Sequence, residues 1–333
     1  MKIGLLPLYI ELYDQILTRI RPRLEAFYEE IAGLFEQRGI AVERSAFCRL
    51  KPEFEKTVTA FEEAGVDAIV TIHMAYSPSL ESIDALAATK LPIVVLDTTP
   101  DADFTPEQDP AEINYCHGIH GVMDMCSLLK RYGKPYAIAA GHYLESDCMD
   151  RVCGFVRAAV AAQALKGTKV GLIGGAFEGM GDFAVDPAEL KERFGVTVEQ
   201  VEPELLTAYR SKVTKENLQA ELEENKARFT FDEGVVQEGY EQAIEGCLAL
   251  RAMLDENGYT AFSANFRKVK NMPFMEACKA MERGIGYAGE GDGLTAAFTR
   301  ALLSAYPETS FVEIFCPDWR NNTVLFSHMG EMN

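Results

Sequence analysis

Short, largely apolar runs recur through the first half of the chain at residues 2–7, 67–72, 92–96 and 135–139. They are near-continuous rather than alternating, the pattern of strands covered on both faces in a parallel sheet. Between them, apolar positions fall at helical spacing over 22–38, 53–64, 79–88 and 113–131. Strand–helix alternation of this kind predicts a doubly wound α/β layer. A longer helical stretch, 147–165, leads to a second start: the strand-like TKVGLIG at 168–174, followed by the loop 175–183. Helices are expected at 187–193, 215–228 and 234–257, then a strand at 260–264 and a helix at 274–283. From about Gly284 a Gly-rich loop, a helix and two strands, 311–315 and 323–328, complete the pattern. The chain thus reads as two doubly wound parallel-sheet α/β domains, flavodoxin- or Rossmann-like, over 1–166 and 167–284. The beginning of a third, β-containing domain follows over 285–333.

With 333 residues, 48% hydrophobic and 25% charged, the chain has the composition of a globular protein of two or three domains. Acidic residues outnumber basic ones 51 to 32, for a net charge of -19. Such a field repels phosphate backbones and anionic lipid, which argues against nucleic-acid and membrane-surface partners. No apolar run approaches the roughly 18 residues that would span a bilayer. The N-terminal MKIGLLPLYIELYDQ has no small-residue cleavage site and reads as the first strand, not a signal peptide. The eight cysteines are scattered without a CxxC pair, as expected of free thiols in a reducing cytoplasm.

Open α/β sheets place ligands at the carboxyl ends of their strands. His73 lies at one such end, in TIHMAYSPS; Glu178 and Asp182 lie in GGAFEGMGDF; Phe266 and Arg267 follow the strand at 260–264. The loop GGAFEGMGDF lacks the GxGxxG register, and its carboxylates suit a polyol or a cation better than a phosphate. More specific is the trio Glu290, Glu313 and His328. Glu290 sits among four glycines in GYAGEGDG, and Glu313 interrupts the apolar SFVEIF, where a carboxylate is costly unless paired or bound to a cation. His328 closes the next strand. Two carboxylates with one imidazole favour Mg or Mn over structural zinc. Singly, each residue also has a plain structural explanation: a solvated turn Glu, a solvent-facing strand Glu, a hydrogen-bonded His.

Several segments resemble those of L-arabinose and L-fucose isomerases. GYAGEGDGLTAA (286–297) is similar to AGEGDWKTAA of the arabinose isomerases, ETSFVEIF (308–315) to GTSFMEDY, and FSHMGE (326–331) to GSHMLE. TIHMAYSPS (71–79) resembles their HTFSP loop, and HGIHG (117–121) their Gln-Thr-Ala-His-Gly helix start. The order holds along nearly the whole chain. The resemblance implies a metal-dependent aldose–ketose isomerase working through an enediol, with a divalent cation, commonly Mn (Mg possible), polarising the sugar oxygens. It implies that Glu290 and Glu313 are both catalytic acid–base groups and metal ligands, with His328 as a third ligand. It further implies substrate contacts from Tyr9, His73, His117, His120, Met180 and Phe266, on a small-molecule aldose or ketose. His120 matches a histidine lent to a neighbouring subunit's site, so a homo-oligomer is expected.

Two departures from the family pattern stand out. After the Asn–Phe pair this chain reads Arg267, Lys268, Val269, Lys270, where the family has small or acidic residues. The family also continues past its SHM segment into a β-rich region with a second histidine ligand. The third domain is therefore expected to be truncated at Asn333. The alternative reading is a non-catalytic sugar-binding or regulatory relative; a periplasmic-type sugar-binding protein is a further one, opposed by the lack of a signal peptide.

Overall fold

The strand β1 (Lys2–Leu8) organises the first half of the computed structural model, which describes residues 1–183, 185–269 and 272–328. After α1 (Glu11–Ile16) and α2 (Arg21–Gln37), the chain forms β2 (Ala41–Arg44), α3 (Lys51–Glu63), β3 (Ala68–His73), α4 (Ser79–Ala88) and β4 (Ile93–Asp97). Then come α5 (Ile113–Cys116), α6 (Ile119–Arg131), β5 (Tyr136–Ala140) and α7 (Cys148–Leu165). The five strands are all parallel in the order β2-β1-β3-β4-β5. Every residue of β3 is buried, which accounts for its near-continuous apolar sequence. Two apolar cores flank the sheet, one holding Leu24, Phe27, Ile31 and Phe35 of α2, the other Phe54, Val58 and Phe61 of α3. Gly4 lets α3 approach: a Cβ there would lie 2.5 Å from the Phe61 ring.

A second compact unit runs from Ala161 onward, the first being Met1–Val160. It contains β6 (Lys169–Ile173), α8 (Pro187–Phe194), β7 (Thr197–Val201), α9 (Pro203–Arg210), α10 (Lys215–Arg228) and α11 (Gln237–Asn257). These are followed by β8 (Ala261–Ala264), α12 (Phe274–Glu282), β9 (Gly286–Ala288) and α13 (Gly293–Ala305), then β10 (Glu313–Asp318) and β11 (Thr323–Ser327). Its sheet is parallel in the order β7-β6-β8-β9, and β10 and β11 form a separate antiparallel ribbon. The α/β class with parallel sheets read from the sequence is what the chain adopts. Beyond residue 285, β9 joins the second sheet and Ala296, Ala297 and Leu303 of α13 enter its core. Glu276 of α12 is fully buried, receiving hydrogen bonds from Arg251 of α11 and from Arg283, and Arg251 also reaches Glu221 of α10. This ion network ties together the helices behind the site.

One expected element is divided. Residues 113–131 form two helices because His117 leaves helical geometry (φ -99°, ψ 20°). The next residue, Gly118, lies so close to the end of β3 that a Cβ would be 2.6 Å from the His73 carbonyl oxygen. The strands β2 and β7, the helix α9 and the short strand β9 were not foreseen. Among the described residues no helix is long and apolar enough to cross a membrane.

Candidate active site

In the second sheet the chain reverses its winding direction between β6 and β8, and the loops leaving β6, β8 and β9 converge at that crevice. Such a switch point is where open α/β sheets bind ligands. Ser263 in β8 holds the turn after β9: its hydroxyl donates toward the carbonyls of Ala288 and Gly289 (2.7 and 3.0 Å) and accepts from the Gly291 amide (2.9 Å). Ser263 is fully buried. Glu290 itself sits at φ +61°, left-handed backbone that a residue with a Cβ adopts at a cost. Its carbonyl accepts from the Phe177 amide at 2.9 Å, joining the β9 turn to the loop after β6. Gly291 (φ +89°) is required by this crossing, since a Cβ would meet the Gly175 carbonyl oxygen at 2.4 Å. Asp292 then caps α13 by accepting from the Thr295 amide.

The loop after β8 is pinned to the same neighbour. The Asn265 side chain donates to the Ala176 carbonyl (3.1 Å) and accepts from the Arg267 amide (3.1 Å). This places Phe266 against Phe177, the rings stacked at 5.5 Å with 24° between planes. Between these loops and the ribbon lies a cavity of about 550 Å³ lined by Phe266, Val269, Phe274, Tyr287, Glu290, Glu313, Phe315 and His328. Glu313 begins β10 opposite Ser327 of β11, so the ribbon brings both Glu313 and the adjoining His328 to the cavity. The His328 ring lies edge-on to Phe311 (5.4 Å) and Phe274 (6.4 Å). It covers Gly289 closely enough that a Cβ there would meet its Nε2 at 2.7 Å.

The cavity is therefore an apolar, largely aromatic hollow with two carboxylates and an imidazole in its wall. Donors of that kind suit a hard divalent cation. Among the described residues, however, no three His, Cys, Asp or Glu side chains are grouped closely enough to hold a metal ion as they stand.

Of the residues expected from the sequence, Glu290, Glu313, His328 and Phe266 line this one cavity. Met180, in the loop after β6, is 39% exposed and does not line it. Tyr9, His73, His117 and His120 belong to the first unit. Tyr9, just past β1, is buried and packs edge-on to Tyr13, whose hydroxyl is 3.0 Å from His117 Nε2; His120 is exposed beside His117. His73 is buried at the end of β3 with both ring nitrogens unpartnered, and burial lowers its pKa to about 3. Ser263, Asn265 and Phe177 shape the site and were not singled out from the sequence. A hydroxyl inside a fully buried strand was the only available signal for Ser263. Lys270 and residues 329–331 of the FSHMGE segment lie outside the described residues.

Residues 174–305, the stretch that carries Phe177, Ser263, Phe266 and Glu290, match the family model of the L-arabinose isomerase central domain. The L-arabinose isomerase of Yersinia pestis is 26% identical over 292 residues, 82% of this chain and 57% of that protein. The chain is similar to L-arabinose isomerases, and its stretch 174–305 to their central domain. The L-arabinose isomerase of Flavobacterium johnsoniae is 27% identical over 275 residues, 77% of this chain and 54% of its own length. The chain thus matches little more than half the length of these curated relatives. A solved solute-binding protein from Agrobacterium vitis, bound with α-D-tagatopyranose, aligns over 92% of this chain and 88% of its own. Its TM-score of 0.22 and 13% identity are too low to bear on fold or site.

Proposed function

We propose that the second-unit cavity is the site of an aldose–ketose isomerase in which Glu290 and Glu313 move the protons. The observation that carries this reading is that two carboxylates, delivered by separate elements, face a single hollow of a size suited to one small polyol. In the reaction, one carboxylate takes the proton from the carbon beside the sugar carbonyl and gives an enediol. The other protonates the carbonyl oxygen as the enediol forms and then takes the proton of the neighbouring hydroxyl, while the first returns its proton to the former carbonyl carbon, so that no atom is gained or lost. Phe266, Phe274 and Tyr287 exclude water and present an apolar surface to the sugar's C–H face. Glu290, Glu313 and His328 carry the donors that a divalent cation, Mn or Mg, would take if they drew closer than they stand, and the ion when bound would supply polarisation of the sugar oxygens. The resemblance of His120 to a histidine lent between subunits supports a homo-oligomer, and the free cysteines support a cytoplasmic setting.

The test is isomerisation of pentoses, hexoses and 6-deoxyhexoses in the presence of Mn, together with calorimetry of Mn alone. Glu290→Gln and Glu313→Gln should each abolish turnover and weaken Mn binding by roughly tenfold or more. Unchanged Mn affinity removes the substituted residue from the cation's shell, and unchanged turnover removes it from the chemistry. A second reading, a sugar-binding relative without turnover, draws on the lack of a closed three-donor group among the described residues. Sugar binding with no isomerisation in the presence of Mn would select it.

A further inference from the structure

The turn that brings Phe266 and Val269 to the cavity also carries positive charge that a neutral sugar does not use. Arg267 and Lys268 directly follow Phe266, whose ring lines the cavity. The Arg267 guanidinium lies 5.6 Å from the centroid of Phe177, the ring stacked on Phe266. Lys268 leaves the same turn beside the β6 loop, where its Cβ would be 3.2 Å from a Cβ built on Gly174. The turn is not free to swing, because Asn265 accepts from the Arg267 amide and donates across to Ala176. Both cationic side chains are exposed, and among the described residues neither forms an ion pair. Two cations without an ion-pair partner among the described residues are thus carried on the turn between Phe266 and Val269, both of which line the cavity with its two glutamates, on a chain of net charge -19.

Resting on the isomerase reading, we propose that the substrate of this site is an anionic sugar, bearing a carboxylate or a phosphate at the end remote from its carbonyl. The general field of the protein repels such a molecule, and the inner carboxylates repel its anionic end most. Arg267 and Lys268 reverse the sign of the field locally at this turn. A guanidinium offers paired donors in one plane to a carboxylate or phosphate, and an ammonium adds a mobile point charge. The sugar is thereby oriented with its anionic end at this turn and its carbonyl end toward Glu290 and Glu313.

The test reads binding and turnover separately. Calorimetry on the intact chain compares D-galacturonate with D-galactose and D-arabinose 5-phosphate with D-arabinose; isomerisation of all four is assayed with Mn. At least one anionic sugar should bind about tenfold more tightly than its neutral counterpart, a difference of about 1.4 kcal/mol. Arg267→Ala with Lys268→Ala should erase that preference, and raising salt from about 0.05 to about 0.5 M should reduce it. The galacturonate and phosphate arms distinguish a carboxylate from a phosphate. Equal affinity for charged and neutral sugars, or a preference unaltered in the double variant, overturns the anionic-substrate proposal even where a neutral sugar is isomerised. An anionic preference without isomerisation of any sugar removes the isomerase reading and leaves the turn's role standing. Absence of binding by all four sugars overturns both.

Discussion

Ser263→Ala is the sharpest test of how the second sheet builds its site. One buried hydroxyl serves three backbone groups: the carbonyls of Ala288 and Gly289 and the amide of Gly291. Alanine fits the space, so no steric term obscures the result. It leaves the Gly291 amide without this acceptor at a position sealed from water, since Ser263 has no exposed surface. An orphaned buried polar group costs about 1–3 kcal/mol. For a unit of this size, a loss of about 2 kcal/mol should lower the melting midpoint by roughly 4–8 °C. Because the same turn holds Glu290 at a positive φ, the loss should also loosen the carboxylate and weaken Mn affinity several-fold. Urea unfolding followed by calorimetry with Mn measures both. A stability loss below about 0.5 kcal/mol with Mn affinity unchanged would refute the view that Ser263 fixes the Glu290 turn.

Glu290→Gly should be more stable than Glu290→Ala by about 1 kcal/mol, because glycine takes the φ of +61° without steric cost; equal stability in urea would show that the turn relaxes when the carboxylate is removed. His73 supplies a pH signature for the first unit. Its folded pKa, about 3, lies below the value of an exposed imidazole, so the unfolded chain binds the proton first; stability should fall as pH drops below about 6.5 and go on falling toward 3. His73→Gln, which cannot titrate, should flatten that part of the pH–stability curve. An unaltered curve would place the acid sensitivity elsewhere.

The strands with near-continuous apolar sequence were legible because burial on both faces leaves few polar positions to confuse the reading. β3 and β4 are of this kind, and their expected ranges agree with the structure to within a residue at each end. β2 (AVER) and β7 (TVEQV) sit at the sheet edges, half-exposed, and their charged residues remove the apolar run on which the reading depended. β9 is only three residues long and lies inside a glycine-rich stretch, so its sequence reads as loop; hydrogen bonding to β8 makes it a strand. The break after α5 has the same character. Nothing in the helical periodicity of 113–131 records that the end of β3 will press on Gly118.

The site divides along a similar line. Glu290 and Glu313 could be singled out because a carboxylate among glycines or inside an apolar strand is conspicuous, and His328 because it follows another such strand. What the sequence could not supply was the agent that assembles them. That agent is backbone contact between loops: Ser263 on the β9 turn, Phe177 on the Glu290 carbonyl, and Gly291 against Gly175. Each is a small or apolar residue with no chemical signature of its own. The charges of Arg267 and Lys268 are likewise plain in the sequence, but the fixing of their turn beside the β6 loop follows from Asn265 bridging the two loops. Chemistry in this fold is therefore read from the residues that stand out, and its geometry from those that do not. A substitution at Ser263 or Asn265 should accordingly disturb ligand binding while leaving every candidate ligand in the chain.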